Sequence, residues 1–277
     1  MIEEIFEIFT YPFLIRAMIV GVLISLCAAL LGVSLVLRRY SMIGDGLSHV
    51  GFGTITIAVA LGVSPMLVSV PIMILAAFVL LKITKSSTMK SDAAIALIST
   101  SALSAGVIIS TLSGGLNMSV ESLMFGSILA MSDSDVYISL VLAILVIVLF
   151  ILFYNKLFAV TFDSEFSKAT GFDSEKFNML LAILTAITIV IGMRMMGTLL
   201  ISSLIVFPAV TSMRVFKTFK KVIISSAVVS VSCFIFGMVL SYATEIPTGA
   251  AIVAANLFVF AVFCFFSKST FKFFTKR

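Results

Sequence analysis

The stretch NMLLAILTAITIVIGMRMMGTLLISSLIVFPAVTSM, residues 178–213, decides the fold class, because Arg194 is its only charged residue. A single helix of this length would extend about 54 Å, whereas the hydrocarbon core of a bilayer is about 30 Å thick. Gly192 and Gly197 interrupt the middle of the stretch. It therefore predicts two consecutive membrane-spanning helices, over 178–196 and 197–213.

The composition of the whole chain excludes a soluble domain. Of the 277 residues, 61% are hydrophobic and 11% are charged, whereas a soluble domain has about 25% charged residues. The mean hydropathy is +1.26. The net charge of +5 is spread between apolar segments, so no nucleic-acid partner is expected. Cys27, Cys233 and Cys264 form no C-x-x-C pair, so neither a disulfide framework nor a thiolate metal site is indicated.

Apolar segments recur along the chain and predict an all-α, polytopic membrane protein with about nine transmembrane helices, in a single transmembrane domain over residues 1–277. Residues 113–134 are predicted to form an extracellular loop or a shallow re-entrant helix. The predicted spans lie near 13–37, 43–62, 64–81, 92–112, 135–155, 178–196, 197–213, 222–243 and 247–266.

The distribution of basic residues predicts the orientation, since Lys and Arg accumulate in cytoplasmic loops. An outside N-terminus and a cytoplasmic C-terminus leave only Arg16 and Arg194 of the 18 basic residues on the outer side. Outer acidic residues, among them Asp133 and Asp135, are either solvated loop residues or a weak attractor of cations. The first ten residues lack the basic start of a secretory signal, so no cleaved segment is expected.

Two ionisable residues, Asp45 and His49, fall inside the second predicted span, in YSMIGDGLSHVGFG, residues 40–53. Ionisable residues in a membrane helix are costly and mark functional sites. The i, i+4 spacing places both side chains on one helix face. A carboxylate oxygen and a neutral imidazole nitrogen suit Zn²⁺ or another divalent first-row metal, but a complete zinc site needs about four ligands. A second copy of the helix would supply the others.

A structural interpretation of the same pair is also open. In it, Asp45 pairs with Arg38 or Arg39 near the inner surface and accepts a hydrogen bond from His49. The flanking Gly44 and Gly46 either line a path or allow close helix packing.

A proline within a predicted span indicates a bent helix. Pro208 lies in the seventh span, where it frees a backbone carbonyl, and Ser202 and Ser203 precede it. A bent helix with a polar face can line a path, so these residues are candidates for a path or gating helix.

No nucleotide-binding phosphate loop and no Ser/His/Asp constellation are present, because His49 is the only histidine. The chain is therefore not expected to be an enzyme. Its cytoplasmic loop, about 156–177, contains a predicted short helix that begins at Asp163 or Ser164 and ends at Gly171. Phe166 belongs to the apolar side of that helix, which would lie on the membrane or dock into a partner.

Several motifs together resemble the permease subunits of bacterial ABC transporters that import zinc or manganese with an extracellular metal-binding lipoprotein. They occur in the order of that family and extend over nearly the whole chain. The motifs are residues 38–41, 44–50, 124–128, 163–171, 197–200 and 207–209.

The resemblance implies a multi-pass permease of the bacterial cell membrane that works as a homodimer with a cytoplasmic ATPase and an external lipoprotein. It implies that Asp45 and His49 bind the metal in transit. It also implies that the protein has no tightly bound cofactor, because the metal is its cargo. It also implies that the short cytoplasmic helix couples the permease to the ATPase. The residues of this coupling site are Asp163, Glu165, Phe166, Ala169 and Gly171.

Zinc is the expected cargo, because residues 41–50 and 161–163 look closer to the zinc importers of Gram-positive bacteria. Manganese or iron import by the same kind of permease is the alternative. A further alternative is a transporter that is driven by an ion gradient and uses Asp45 as its proton or Na⁺ site. In a non-transporting membrane scaffold, Asp45 and His49 would only hydrogen-bond to each other.

Overall fold

The computed structural model describes residues 11–85, 91–113, 126, 133–169, 171 and 173–274, and within these ranges it contains helices and no strand. We number the helices in chain order. They are α1 (Pro12–Leu37), α2 (Ser41–Ala60), α3 (Pro65–Lys85), α4 (Ser91–Leu112), α5 (Asp133–Leu152), α6 (Tyr154–Phe162), α7 (Ser164–Ala169), α8 (Ser174–Met196), α9 (Thr198–Val215), α10 (Phe219–Thr244) and α11 (Thr248–Phe274).

The predicted spans are confirmed in the described part of the chain, where nine helices are long and apolar enough to cross a membrane. The break between α8 and α9 lies at Gly197, whose φ of +84° is a conformation that favours glycine. The fifth span begins two residues before and ends three residues before its predicted bounds, because α5 ends at Leu152 and α6 follows as a separate helix. The predicted loop or re-entrant helix at 113–134 lies outside the described residues, apart from its first and last positions and Gly126.

The most buried helices are α1, α2 and α8, and the other spans surround them. The second helix packs against α4, α3 and α9, while α8 packs against α3, α1 and α9. Helices α10 and α11 pack together and against α9, and α10 also contacts α1. This arrangement surrounds α2, the helix that carries Asp45 and His49, with protein on most of its circumference.

Glycines allow the backbones of neighbouring helices to touch. A Cβ atom at Gly32 of α1 would lie 2.0 Å from the carbonyl oxygen of Ile205 in α9. A Cβ atom at Gly53 of α2 would lie 2.8 Å from the carbonyl oxygen of Ala102 in α4. Small residues at such contacts are a usual means of packing in membranes, where van der Waals contact drives the association of helices.

Two ion pairs join the first turn of α5 to neighbouring helices. Arg16 of α1 bonds to Asp133 at a largely exposed position. Arg194 of α8 lies 2.9 Å from Asp135, between Nη2 and Oδ2, and both side chains are only 8% exposed. The expectation that Asp135 is a solvated or cation-attracting loop residue is therefore wrong, since its carboxylate is buried against a guanidinium.

Both exceptions in the predicted distribution of basic residues are paired with an acidic residue. Arg16 and Arg194 are the basic residues that the predicted orientation leaves on the outer side, and each has a carboxylate partner at the start of α5. The orientation itself stays a prediction.

We predict that Asp135→Asn destabilises the fold far more than Asp133→Asn. Removing one partner of a buried ion pair costs about 3–5 kcal/mol, whereas an exposed pair contributes about 0–1 kcal/mol. Thermal unfolding of the two purified variants in the same detergent measures the difference. Equal midpoints would show that the buried pair does not hold α5 to α8.

Candidate functional site

One narrow stripe of α2 is open, while the rest of the helix between residues 42 and 56 is buried. Between residues 42 and 56, only Met42, Asp45 and His49 retain accessible surface. Their spacing of three and four residues places them on one face of the helix. The prediction that Asp45 and His49 share a face is thus confirmed, and this face is not covered by the described part of the chain.

The two ionisable side chains face each other without bonding directly. His49 Nε2 lies 3.7 Å from Asp45 Oδ2, with the side chains 22% and 45% exposed. This separation exceeds a hydrogen bond, whose N···O distance is about 2.7–3.2 Å. On the other side of the ring, His49 Nδ1 is buried and has no hydrogen-bond partner among the described residues. Buried polar nitrogens normally form hydrogen bonds. The His49 imidazole, whose buried nitrogen forms none here, is therefore suited to a partner from outside the chain.

The separation fits two ligands of one small cation. Zinc–nitrogen and zinc–oxygen bonds of about 2.0–2.2 Å at a tetrahedral angle place ligand atoms about 3.3–3.6 Å apart. A small movement of either side chain would therefore allow both atoms to bind one ion. Within the described residues there is no group of three or more His, Cys, Asp or Glu side chains that could hold a metal.

The alternative partner for Asp45 is not seen in the structure. Arg38 donates instead to the side-chain carbonyl of Asn178, and its guanidinium lies 4.9 Å from the centre of the Tyr40 ring. Burial lowers the pKa of Arg38 from its ordinary value, although a guanidinium stays charged in proteins. No ion pair joins Asp45 to Arg38 or Arg39 within the described ranges. The structural interpretation of an arginine-paired Asp45 is therefore wrong.

The glycines beside the pair lie at helix contacts. A Cβ atom at Gly46 would lie 2.6 Å from Ile95 Cγ2 and 3.0 Å from Ser99 Oγ, both in α4. A Cβ atom at Gly44 would lie 3.4 Å from Ile205 Cδ1 in α9, which is ordinary contact. The absence of a side chain at Gly46 thus allows α4 to lie close to the site. The prediction that these glycines line a path stays a prediction.

The candidate path residues of α9 are placed along a helix that packs against α2. Ser202 donates to the carbonyl of Thr198 at 3.0 Å, and Ser203 donates to that of Leu199 at 2.9 Å. Pro208 lies inside the helix and is buried. Both serine hydroxyls thus make their hydrogen bonds within α9. None of the described contacts joins these serines to Asp45 or His49.

The short cytoplasmic helix forms where the sequence predicts it, as α7. The Asp163 carboxylate accepts a hydrogen bond from the backbone N–H of Glu165 at 3.0 Å, which caps the first turn. Gly171 follows the helix with φ of +84°, and its N–H donates to the Lys168 carbonyl at 3.1 Å. Glu165 and Lys168 also form an ion pair at 3.9 Å on the exposed side.

Part of the predicted coupling site falls outside the described residues. The backbones of Phe166 and Ala169 belong to α7, but their side chains are not described. Asp163, Glu165 and Gly171 are described, and all three are exposed. The coupling role of these residues stays a prediction.

The sequence reasoning missed α6 and the aromatic contacts that hold it. The ring of Phe219, at the start of α10, lies 5.0 Å from that of Phe158 and 5.7 Å from that of Phe162. The i, i+4 spacing of Phe158 and Phe162 was the available signal for a helix. These contacts link the segment before α7 to the membrane helix α10.

Comparison with known proteins gives a consistent result. The sequence matches the ABC 3 transport family over residues 10–267. It is 28% identical to the manganese import system permease protein ScaB of Streptococcus gordonii over 263 residues, 95% of this chain and 94% of that protein. It is also 28% identical to the high-affinity zinc uptake system membrane protein ZnuB of Haemophilus influenzae over 255 residues, 92% of this chain and 98% of that protein.

A solved structure shows the same arrangement of helices. The structure of PsaBC from Streptococcus pneumoniae in complex with Fab superposes with a TM-score of 0.84 at 27% sequence identity. The match covers 95% of this chain and 95% of that chain. The similarity therefore extends over the whole set of spans and is not limited to one motif.

Proposed function

The chain belongs to the ABC 3 transport family, and on that premise we propose that it is the membrane-spanning subunit of an ATP-driven importer of a divalent transition metal. It is a multi-pass protein of the bacterial plasma membrane. The sequence has no nucleotide-binding phosphate loop, so ATP hydrolysis belongs to a cytoplasmic partner subunit.

The observation that carries the proposal is the open stripe on α2. A half-exposed carboxylate and an imidazole with an unpartnered buried nitrogen stand on the accessible face of an otherwise buried membrane helix. Ionisable groups at such a depth face a water-filled path or a binding site. Asp45 and His49 are accordingly the groups that bind the metal while it crosses the membrane.

A second copy of the chain completes the ligand set. Asp45 and His49 supply two ligands, and two symmetry-related pairs supply four, the number that Zn²⁺ takes. The neighbouring helix α4, which touches Gly46, exposes Thr100 and Ser104 on its surface. Small polar residues on an exposed membrane face favour close helix contact, which supports a homodimer that meets near α2 and α4.

Zinc is the metal that this ligand set favours. Two carboxylates and two imidazoles form a closed four-ligand site for Zn²⁺, whereas Mn²⁺ prefers oxygen ligands in an octahedral arrangement. The relative named for manganese, ScaB, and the relative named for zinc, ZnuB, are equally similar to this chain at 28% identity. The preference for zinc therefore rests on the ligands, and manganese is the competing cargo.

The cytoplasmic helix α7 is the contact for the ATPase. Its cap at Asp163 and its end at Gly171 fix a short, exposed helix between α6 and α8. The aromatic contacts of α6 with Phe219 connect this segment to α10. Closure of an ATPase dimer on α7 would thus move the membrane helices. An external metal-binding lipoprotein would deliver the metal from the outer side of the membrane.

We expect Asp45→Asn and His49→Ala each to reduce zinc uptake by about tenfold or more, since even indirect support of a metal ligand contributes about 10–100-fold in affinity. Uptake of radioactive zinc is measured in cells that have no other zinc importer, at matched membrane expression. Unlabelled manganese added in excess tests the metal preference.

Thr54→Val is the matched control, because the Thr54 hydroxyl bonds within α2 to the Gly51 carbonyl at 2.8 Å and lies away from the open stripe. This variant should keep normal uptake. Full uptake by both ligand variants would contradict the transit site, while loss of manganese uptake alone would reassign the cargo. Transport by the purified chain without the ATPase would support an ion-gradient mechanism instead.

Phe166→Glu is expected to abolish association with the ATPase, because a charge on the apolar side of a docking helix prevents burial of that side. Co-purification of the ATPase with the tagged chain measures the association. Phe166→Leu keeps an apolar side chain and should retain the partner. Normal recovery of the ATPase with the glutamate variant would remove α7 from the docking surface.

A further inference from the structure

A groove on the surface of the molecule is built from α10 with parts of α9 and α11. Its volume is about 720 Å³, and it lies away from the open stripe of α2. We call it the α10 groove. The residues that line it are Val215, Phe216, Lys221, Ile224, Ser225, Val228, Val229 and Phe263.

The floor of the α10 groove is packed, while its wall is open. Val229 belongs to a small apolar cluster between α10 and α11, against which Phe263 packs. Ile224 and Val228 line the groove one turn apart and are 54% and 60% exposed. The Ser225 hydroxyl bonds to that of Ser212 at 3.1 Å, which ties α10 to α9 beside the groove. The groove is thus a defined concave surface on a helix that is long and apolar enough to cross a membrane.

One end of the α10 groove is strongly basic. Lys221 lines the groove, and Lys217 and Lys220 precede it in the sequence, where the chain enters α10, and are exposed. No described carboxylate forms an ion pair with these three lysines. Residues 176–244 contain no Asp or Glu at all. The positive charge at this end is therefore not neutralised by neighbouring residues of the same segment.

The dimensions of the α10 groove match one leaflet of a bilayer. From Lys221 to Val229 the helix rises about 12 Å, close to half of the roughly 30 Å hydrocarbon core. A second concave region of about 310 Å³, lined by residues between Ser232 and Leu240 of α10 and between Ala254 and Val259 of α11, continues along the same two helices. A partner helix would cover this apolar surface and leave Lys221 without a negative partner, whereas an anionic phospholipid supplies both an acyl chain and a negative headgroup.

We propose that the α10 groove binds an anionic phospholipid, with its phosphate at Lys217, Lys220 and Lys221 and one acyl chain against Ile224, Val228 and Phe263. Basic pockets between membrane helices are suited to anionic headgroups. The negative headgroup neutralises the lysines, and the acyl chain fills the apolar groove. This lipid site is separate from the metal site and does not depend on transport.

Fluorescence quenching by brominated lipid tests the proposal directly, because the chain contains no tryptophan. The Val228→Trp variant carries a single tryptophan in the α10 groove. The Val141→Trp variant is the matched control, since Val141 is 64% exposed on α5 and lies about 12 Å from the start of its helix, at a similar depth below the opposite membrane surface in the predicted orientation. Each full-length variant is reconstituted in vesicles that contain either brominated phosphatidylglycerol or brominated phosphatidylcholine.

The proposal predicts that brominated phosphatidylglycerol quenches the Val228→Trp variant several-fold more strongly than brominated phosphatidylcholine does, while the Val141→Trp variant shows no preference. Replacing Lys217, Lys220 and Lys221 by Gln in the Val228→Trp background should remove this preference, because each lysine near the membrane surface attracts anionic lipid.

Equal quenching of the Val228→Trp variant by the two lipids would overturn the proposal. So would the absence of quenching in this variant when the Val141→Trp control is quenched normally, because a protein surface would then cover the groove.

Discussion

The constraint on which the structure depends is the cost of an uncompensated charge in the membrane. The protein meets it in two different ways. Arg194 and Asp135 are buried together at 2.9 Å and hold α8 against α5, so their charges are compensated within the chain. Asp45 and His49 stand 3.7 Å apart on an open face, so their compensation is left to water or to a bound cation. The first pair is suited to a structural role and the second to a binding role.

The packing of the spans determines which surface of the Asp45–His49 pair stays accessible. Gly46 and Gly53 let α4 approach α2 closely, and the Gly32 contact brings α1 against the backbone of α9. Between residues 42 and 56, the surrounding helices then cover α2 except along the stripe of Met42, Asp45 and His49. Close packing therefore leaves the ionisable pair accessible from one side only. A second copy of the chain on that side would raise the number of ligands from two to four.

Much of the fold could be predicted from the sequence, because membrane spans are local features of hydropathy and length. The break at Gly197 followed from the fact that one helix could not fit the bilayer. The short helix α6 was missed, since no proline or glycine separates it from α5. The buried pair of Asp135 and Arg194 was also missed, as was the bond from Arg38 to Asn178. These contacts join residues far apart in sequence, and charge patterns alone do not determine which residues meet.

The most direct test of the central claim uses the fact that His49 is the only histidine of the chain. Nitrogen-15 NMR of the assembled transporter in membranes, with histidine labelled only in this subunit, reports the two ring nitrogens of His49 and nothing else. If His49 binds the transported metal, saturation with zinc shifts the resonance of one ring nitrogen to a metal-bound value, and Asp45→Asn weakens the binding that causes the shift. If both resonances stay unchanged at saturating zinc, His49 is not a metal ligand and the account of the transit site is wrong.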